Sequence, residues 1–141
     1  MESCFYCKEN EKLKSLMIKV KELRWSTVYL NRNQTLPGRC IVACKEHKTE
    51  YFQLNPEANA GFFAELSLTA LAIQNIFRPD KINYATYGDL VPHAHFHLVP
   101  KYRDKPHWGG PFQDEPKTVL GDAEYNDMIA KIKAELRRLA E

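Results

Sequence analysis

The stretch Val91–Pro100, VPHAHFHLVP, sets histidines at positions 93, 95 and 97 with an apolar residue in each gap. In an extended strand successive side chains point to opposite faces, so His93, His95 and His97 share one face and Ala94, Phe96 and Leu98 the other. The segment is therefore expected to be a strand anchored to a core by its apolar side. Its other side offers three imidazoles to whatever lies opposite. The whole chain holds five histidines, so most of them are spent here. A lone histidine is well explained as a satisfied core residue; three in strict alternation point to chemistry. Two chemistries use such an array. A His-x-His pair on a strand can ligate a metal, or an imidazole can act as a nucleophile with its neighbours positioning it and the leaving group.

The remaining elements place this strand in a mixed fold. Ser26–Asn31, STVYLN, and Arg39–Lys45, RCIVACK, are rich in strand formers, with a Pro37-Gly38 turn before the second. Asn55 and Pro56 give a capped helix start, and Phe62, Phe63, Leu66, Ala70, Ile73 and Phe77 recur at helical spacing until Pro79. Residues 81–88, KINYATYG, predict another strand, with Gly88-Asp89 as a turn, and the histidine strand is expected to extend over 92–102. A loop follows over 103–117, then a helix over about 122–139 with Tyr125, Met128, Ile129, Ile132, Leu136 and Leu139 on one side. Residues 8–25 fit two periods: Leu13, Leu16, Met17 and Val20 suit a helix face, while SLMIKVKEL alternates in part like a strand. Strands cluster around one long helix instead of alternating with helices. That predicts an α+β fold with a mostly antiparallel sheet, one long central helix and a C-terminal helix, in a single domain spanning 1–141.

Composition narrows the partners. The 141 residues carry a formal net charge of +2, too small to argue for nucleic acid or anionic membrane. No run of eighteen apolar residues exists, so no membrane span is expected. The first ten residues, MESCFYCKEN, lack the apolar region of a secretory signal, and the expected compartment is the cytoplasm. There the four cysteines read as metal ligands or small core residues, not as disulfides.

Cys4-x-x-Cys7 has the spacing of a zinc pair but is half a site, because a structural zinc takes four protein ligands. His47, just after the RCIVACK strand, and His93, at one end of the triplet, would complete a Cys₂His₂ set. Cys40 and Cys44 fall on one face of their strand and read as core residues, with Cys44 the substitute ligand. A redox role for the pair is weaker, since no βαβ pattern follows it.

HAHFHLV fits the His-φ-His-φ-His-φ-φ signature of the histidine triad family of nucleotide hydrolases and transferases, where φ is an apolar residue. CFYC resembles the N-terminal zinc cysteines of its small bacterial members. PGRCIVACKEH resembles the family's strand ending in Pro-Lys-x-His, and INYATYGDLVPHAHFH resembles its Asn…Gly-x-x-Val-x-His approach to the triad. The resemblance implies a structural zinc on Cys4, Cys7, His47 and His93. It implies that His95 attacks the α-phosphorus of a nucleotide, forming a nucleotidyl-phosphohistidine that water hydrolyses, with His97 bonding the phosphate or the departing group. Asn83 would contact the phosphate region. The backbone N–H groups of Leu90 and Val91, next to Asp89, would face the α-phosphate. The substrate would be a small-molecule nucleotide, and a homodimer with a sheet continuing across both chains is the implied assembly.

Departures from the family pattern lie at four positions. Asp89 stands where many members have glutamine, Arg39 where many have histidine, and Cys44 where Pro-Lys-x-His has its proline. Asn31 replaces an aspartate that often binds the ribose hydroxyls. Arg39 could pair with a distal phosphate. Trp108, in the glycine-containing loop, borders the expected site. His97 stands where the uridylyltransferase branch has glutamine, which favours a hydrolase. Two other readings stay open: a nucleotide-binding regulatory protein with little turnover, and a catalytic metal held by all three triplet histidines.

Overall fold

The computed structural model describes residues 4–141. Its centre is an antiparallel sheet of five strands: β1 (Met17–Glu22), β2 (Ser26–Asn31), β3 (Cys40–Cys44), β4 (Lys81–Ala85) and β5 (His95–Lys101), in the order β1-β2-β3-β5-β4. The histidine strand is thus interior, between β3 and β4. The helices are α1 (Phe5–Lys8), α2 (Glu11–Leu16), α3 (Pro56–Phe77) and α4 (Asp122–Ala140). This is the expected α+β architecture with a long central helix and a C-terminal one.

Register fixes what each face carries. Ile41 pairs with His97 and Ala43 with His95, while Cys40 pairs with Leu98 and Val42 with Phe96. The face bearing Cys40, Val42, Cys44, Ala94 and Leu98 packs under Phe62, Leu66, Ala70 and Ile73 of α3 and Ile132 and Leu136 of α4. Burying each Val, Leu, Ile or Phe of this core contributes roughly 1.5–3 kcal/mol, so a strand shifted by one residue would lose its whole core face. That penalty forces the histidines to the other side. There a smaller cluster of Cys4, Tyr6, Leu13, Met17, Tyr29 and Ile41 partly covers them.

The long helix starts where Asn55 accepts a hydrogen bond from the Ala58 N–H at 2.8 Å, with Pro56 in its first turn. It stops at Arg78, whose φ of 51° is left-handed. By length and composition α3 is the one helix among the described residues apolar enough to cross a bilayer. It lies on the sheet instead, as the core helix.

The ambiguous stretch 8–25 contains both of its periods in turn. Asn10 caps α2 by accepting from Leu13 N–H at 3.1 Å, and β1 begins at Met17, directly after α2. β3 is trimmed by one residue at each end, and two strands are shorter by more. β4 ends at Ala85, and β5 starts at His95, so His93 precedes the regular strand. Pro92 has no N–H to give a ladder, and the backbone here bonds locally: His93 N–H donates to the Val91 carbonyl at 2.9 Å and Ala94 N–H to the Lys48 carbonyl at 2.8 Å. The loop after β3 and the loop before β5 are thereby stitched together, which brings His47 towards His93.

Candidate active site and metal centre

His95 is 5% exposed, and its Nδ1 lies 2.6 Å from the His93 carbonyl oxygen. A carbonyl can only accept, so Nδ1–H donates and Nε2 keeps its lone pair. Burial pulls the imidazole below its ordinary pKa, against a smaller upward pull from the same hydrogen bond. A neutral ring with a fixed tautomer and a free Nε2 is what an imidazole nucleophile requires. Its backbone is held from behind: the Thr86 hydroxyl donates to the His95 carbonyl at 2.8 Å and lies 2.8 Å from the Tyr51 hydroxyl. The Tyr6 ring flanks both His93 and His95, at 5.2 and 5.1 Å between centroids.

His97 lies 5.3 Å from His95 between ring centroids, with Phe112 at 5.3 Å and Tyr87 at 6.2 Å. The ring as a whole is half-buried, but Nδ1 is enclosed and meets no hydrogen-bond partner. Burial, then the charge of Arg39, then His95 pull His97 down to about 3. Arg39 is 5% exposed, and its Nε is likewise buried without a partner. Its guanidinium lies 4.6 Å over the Phe112 ring, and its nearest carboxylate, Asp114, is 4.0 Å away. An unpaired buried donor costs about 1–3 kcal/mol, more when charged. This end of the site is therefore incomplete as the protein alone.

The metal end differs. The ligand atoms of Cys4, Cys7, His47 and His93 all lie within 4.8 Å of one another. Cys4 Sγ is 3.3 Å and Cys7 Sγ 3.6 Å from His93 Nδ1, Cys7 Sγ is 3.2 Å from His47 Nδ1, and the two Nδ1 atoms are 3.1 Å apart. A tetrahedral ion bonded at about 2.3 Å to sulfur and about 2.0–2.1 Å to nitrogen needs edges of about 3.6 Å (N···S) and about 3.3 Å (N···N), so the residues fit it. His93 Nε2–H donates to the Cys44 carbonyl at 2.7 Å, which fixes the tautomer and turns the Nδ1 lone pair into the cluster. Burial and the neighbouring Cys4 thiol push Cys7 up to about 11, so a cation is needed to hold both sulfurs as thiolates. The cluster takes His93 and leaves out His95 and His97, unlike a centre shared by three triplet rings. Cys40 and Cys44 are core residues.

The other expected residues surround the same face. Asn31 ends β2 and is 8% exposed; its backbone N–H donates to the Arg39 carbonyl at 3.0 Å. Asn83 pairs with Val99, two residues after His97, and so points to the histidine side. It lines a groove of about 680 Å³ with Tyr87, Trp108 and Phe112. Asp89 and Leu90 lie in an exposed loop, Leu90 being 95% exposed, while Val91 packs against the small cluster over the histidines. The N–H groups of residues 88–91 make no hydrogen bond to another described residue.

Three residues that the sequence reading passed over shape the site. Lys101 is 2% exposed and donates to the His107 and Gly110 carbonyls at 2.6 and 2.5 Å, holding the loop that carries Trp108 and Phe112. It lies on the parity of 93, 95 and 97, a signal available in the alternation itself. Gln34, buried, donates to the Asn31 and Arg39 carbonyls at 2.7 and 3.1 Å and accepts from Gly38 N–H at 2.8 Å, fixing the approach to Arg39. Gly38 has a φ of 95°, and a Cβ there would come within 2.6 Å of Phe77. Tyr6 had no signal beyond its place in CFYC.

Sheet and site together define a class: an open antiparallel sheet with a pinned imidazole on an interior strand, flanked by one histidine in a Cys/His cluster and one in an aromatic corner. Solved structures match it along nearly the whole chain. A histidine triad protein from Bradyrhizobium japonicum has a TM-score of 0.83 at 22% identity, covering 90% of this chain and 96% of that one. One from Marinobacter aquaeolei VT8 has a TM-score of 0.83 at 26% identity, covering 92% and 96%. A Zn-bound histidine triad family protein from Mycobacterium smegmatis has a TM-score of 0.67 at 21% identity, covering 99% and 96%. No curated protein matches the sequence. The model of the HIT domain matches residues 13–104, and the chain belongs to the HIT family, one of nucleotide-binding proteins, hydrolases and transferases. Cys4 and Cys7 lie outside the matched segment.

Proposed function

We propose that the protein is a nucleotide hydrolase. It cleaves a phosphoanhydride or phosphoramidate next to a nucleoside monophosphate, for example in a dinucleoside polyphosphate, through a covalent intermediate on His95. The observation that carries this reading is the 2.6 Å bond from His95 Nδ1–H to the His93 carbonyl, which leaves a neutral ring with only Nε2 free to react. His95 Nε2 bonds to the α-phosphorus as the bond to the leaving group breaks, the electron pair departing with that group. Water then adds to phosphorus, the N–P bond breaks and its pair returns to Nε2, and the water's proton passes to solvent. Phosphoryl chemistry asks mainly for positioning and for donors around the equatorial oxygens. The unpaired N–H groups of Leu90 and Val91 suit those oxygens, with Asp89 turned to solvent. Asn83 adjoins the phosphate region, His97 the phosphate or the departing group, and Asn31 takes the ribose. Arg39 lies on the leaving-group side.

Zinc is the ion assigned to Cys4, Cys7, His47 and His93. Bound there, it would tie the N-terminal segment to the two loops and hold His93, and through the His93 carbonyl the tautomer of His95. The assembly assigned to the protein is a homodimer. In support, β4 closes the sheet with an open backbone edge, exposed Tyr84 on it and exposed Leu71 on α3 beside it.

The test is turnover of a panel of adenylated and dinucleoside substrates by the wild-type protein and by His95→Ala, with acid-labile phosphohistidine sought after rapid quenching. Monophosphate release at the same rate by His95→Ala would defeat the reading. Tight monophosphate binding with no turnover would replace it with a regulatory binding protein.

A further inference from the structure

Arg39 Nε and His97 Nδ1 are both buried without a partner, and they lie together. Ile41 is the register partner of His97, and Arg39 stands two residues before Ile41, so both side chains project from the same face of adjacent strands. Phe112 touches both, 4.6 Å from the guanidinium and 5.3 Å from the imidazole centroid. The carboxylate near Arg39 belongs to Asp114, which is 84% exposed and, at 4.0 Å, too far for a hydrogen bond. A guanidinium offers a planar fork of donors suited to carboxylate or phosphate, and this one is buried with its fork unfilled.

We propose that Arg39 makes the protein selective for substrates whose leaving group is an anion, so that it cleaves phosphoanhydrides in preference to phosphoramidates with a neutral amine. The inference rests on the covalent reading above and narrows it. As the N–P bond to His95 forms, the P–O bond to the distal phosphate breaks and its electron pair stays on the departing oxygen. A phosphate leaves as a stable anion without taking a proton, and the added negative charge falls beside Arg39. An amine has to be protonated as it departs. His97, which burial and the charge of Arg39 hold in its neutral form, is a poor acid for that step. The same guanidinium thus attracts the anion and keeps its neighbour from serving as an acid.

The test compares Arg39, Arg39→Gln and Arg39→Lys in a His95→Asn background, which halts the chemistry, by measuring the affinity of ADP against AMP. With Arg39 present, ADP is expected to bind about tenfold tighter or more; Arg39→Gln brings the ratio to about twofold or less, and Arg39→Lys retains most of it. With His95 intact, the ratio of kcat/KM for diadenosine triphosphate over an adenosine alkylphosphoramidate should fall about tenfold in Arg39→Gln. An ADP affinity no greater than that of AMP, a ratio unmoved by Arg39→Gln, or a wild-type preference for the phosphoramidate overturns the proposal. Turnover that survives His95→Asn defeats the covalent reading instead, whatever the binding ratio.

Discussion

The two flanks of His95 solve opposite problems. On the His93 side every ligand atom already has neighbours at 3.1–3.6 Å, and the second nitrogen of His93 is spent on the Cys44 carbonyl. On the His97 side two buried nitrogens have nothing to bond. The first flank is complete once an ion is added and has no reason to change during a reaction. The second has its polar groups buried in advance and gains its partners only when an anion arrives. The contrast separates a scaffold from a binding surface within one short stretch of strand, and four experiments can break or sharpen it.

The largest effect belongs to the ring between the flanks. His95→Ala should reduce turnover by at least about a thousandfold, as loss of a nucleophile does, with metal content unchanged. Release of nucleoside monophosphate and metal analysis of the same sample check both halves. Next comes the scaffold. Cys4→Ser should lower metal content well below one ion per chain and cost several kcal/mol of stability, because metal-binding energy at a structural site is folding energy. Cys40→Ala, in the core, should cost less and leave metal content untouched. If Cys4→Ser and Cys40→Ala lose metal and stability alike, the scaffold flank has been misassigned. A smaller effect is expected on the binding flank at Lys101→Met, which removes two charge-assisted bonds to the His107 and Gly110 carbonyls. About 1–3 kcal/mol of stability should go, with faster proteolysis at residues 103–112 and a raised KM. A change in metal content in that variant would join the two flanks that the structure keeps apart.

The sequence made the scaffold easier to see than the binding flank. A Cys-x-x-Cys pair and alternating histidines are patterns of residue type, and their chemistry is local to the side chains. The strand parity of His95 and the core faces of α3 and α4 came from the same kind of periodicity, because burial repeats with the backbone. What could not be read was anything set by long-range packing. Pro92 ends the ladder early, so His93 faces its partners from a loop and not from the strand. Residues 8–25 hold a helix and a strand back to back, which no single period describes. Lys101 shares the parity of the histidines, but only the fold of the 103–112 loop over it supplies the carbonyls that make a buried ammonium possible. Arg39 was visible as a candidate, but its missing partner is a property of its surroundings.

The last expected effect, read as a difference in slope between variants, is a pH dependence of stability, and it measures the unfilled flank directly. His97 is held down to about 3 in the folded chain against an ordinary 6.5. Between these values the unfolded chain takes up a proton that the folded one refuses. Stability therefore falls as pH drops through about 6.5 and continues to fall towards about 3, at up to about 1.4 kcal/mol per pH unit for this one site. The Cys/His cluster and His95 also respond to acid, so the site is isolated by difference. Denaturant melts of wild type and His97→Gln with metal bound, at intervals from pH 7 to 5, should show the shallower slope in the variant by up to one proton. Arg39→Gln should fall between them, since it removes the second cause of the shift and leaves the first, burial. Equal slopes in all three proteins would mean that His97 is as well solvated folded as unfolded, and the contrast between a finished flank and an unfinished one would go with it.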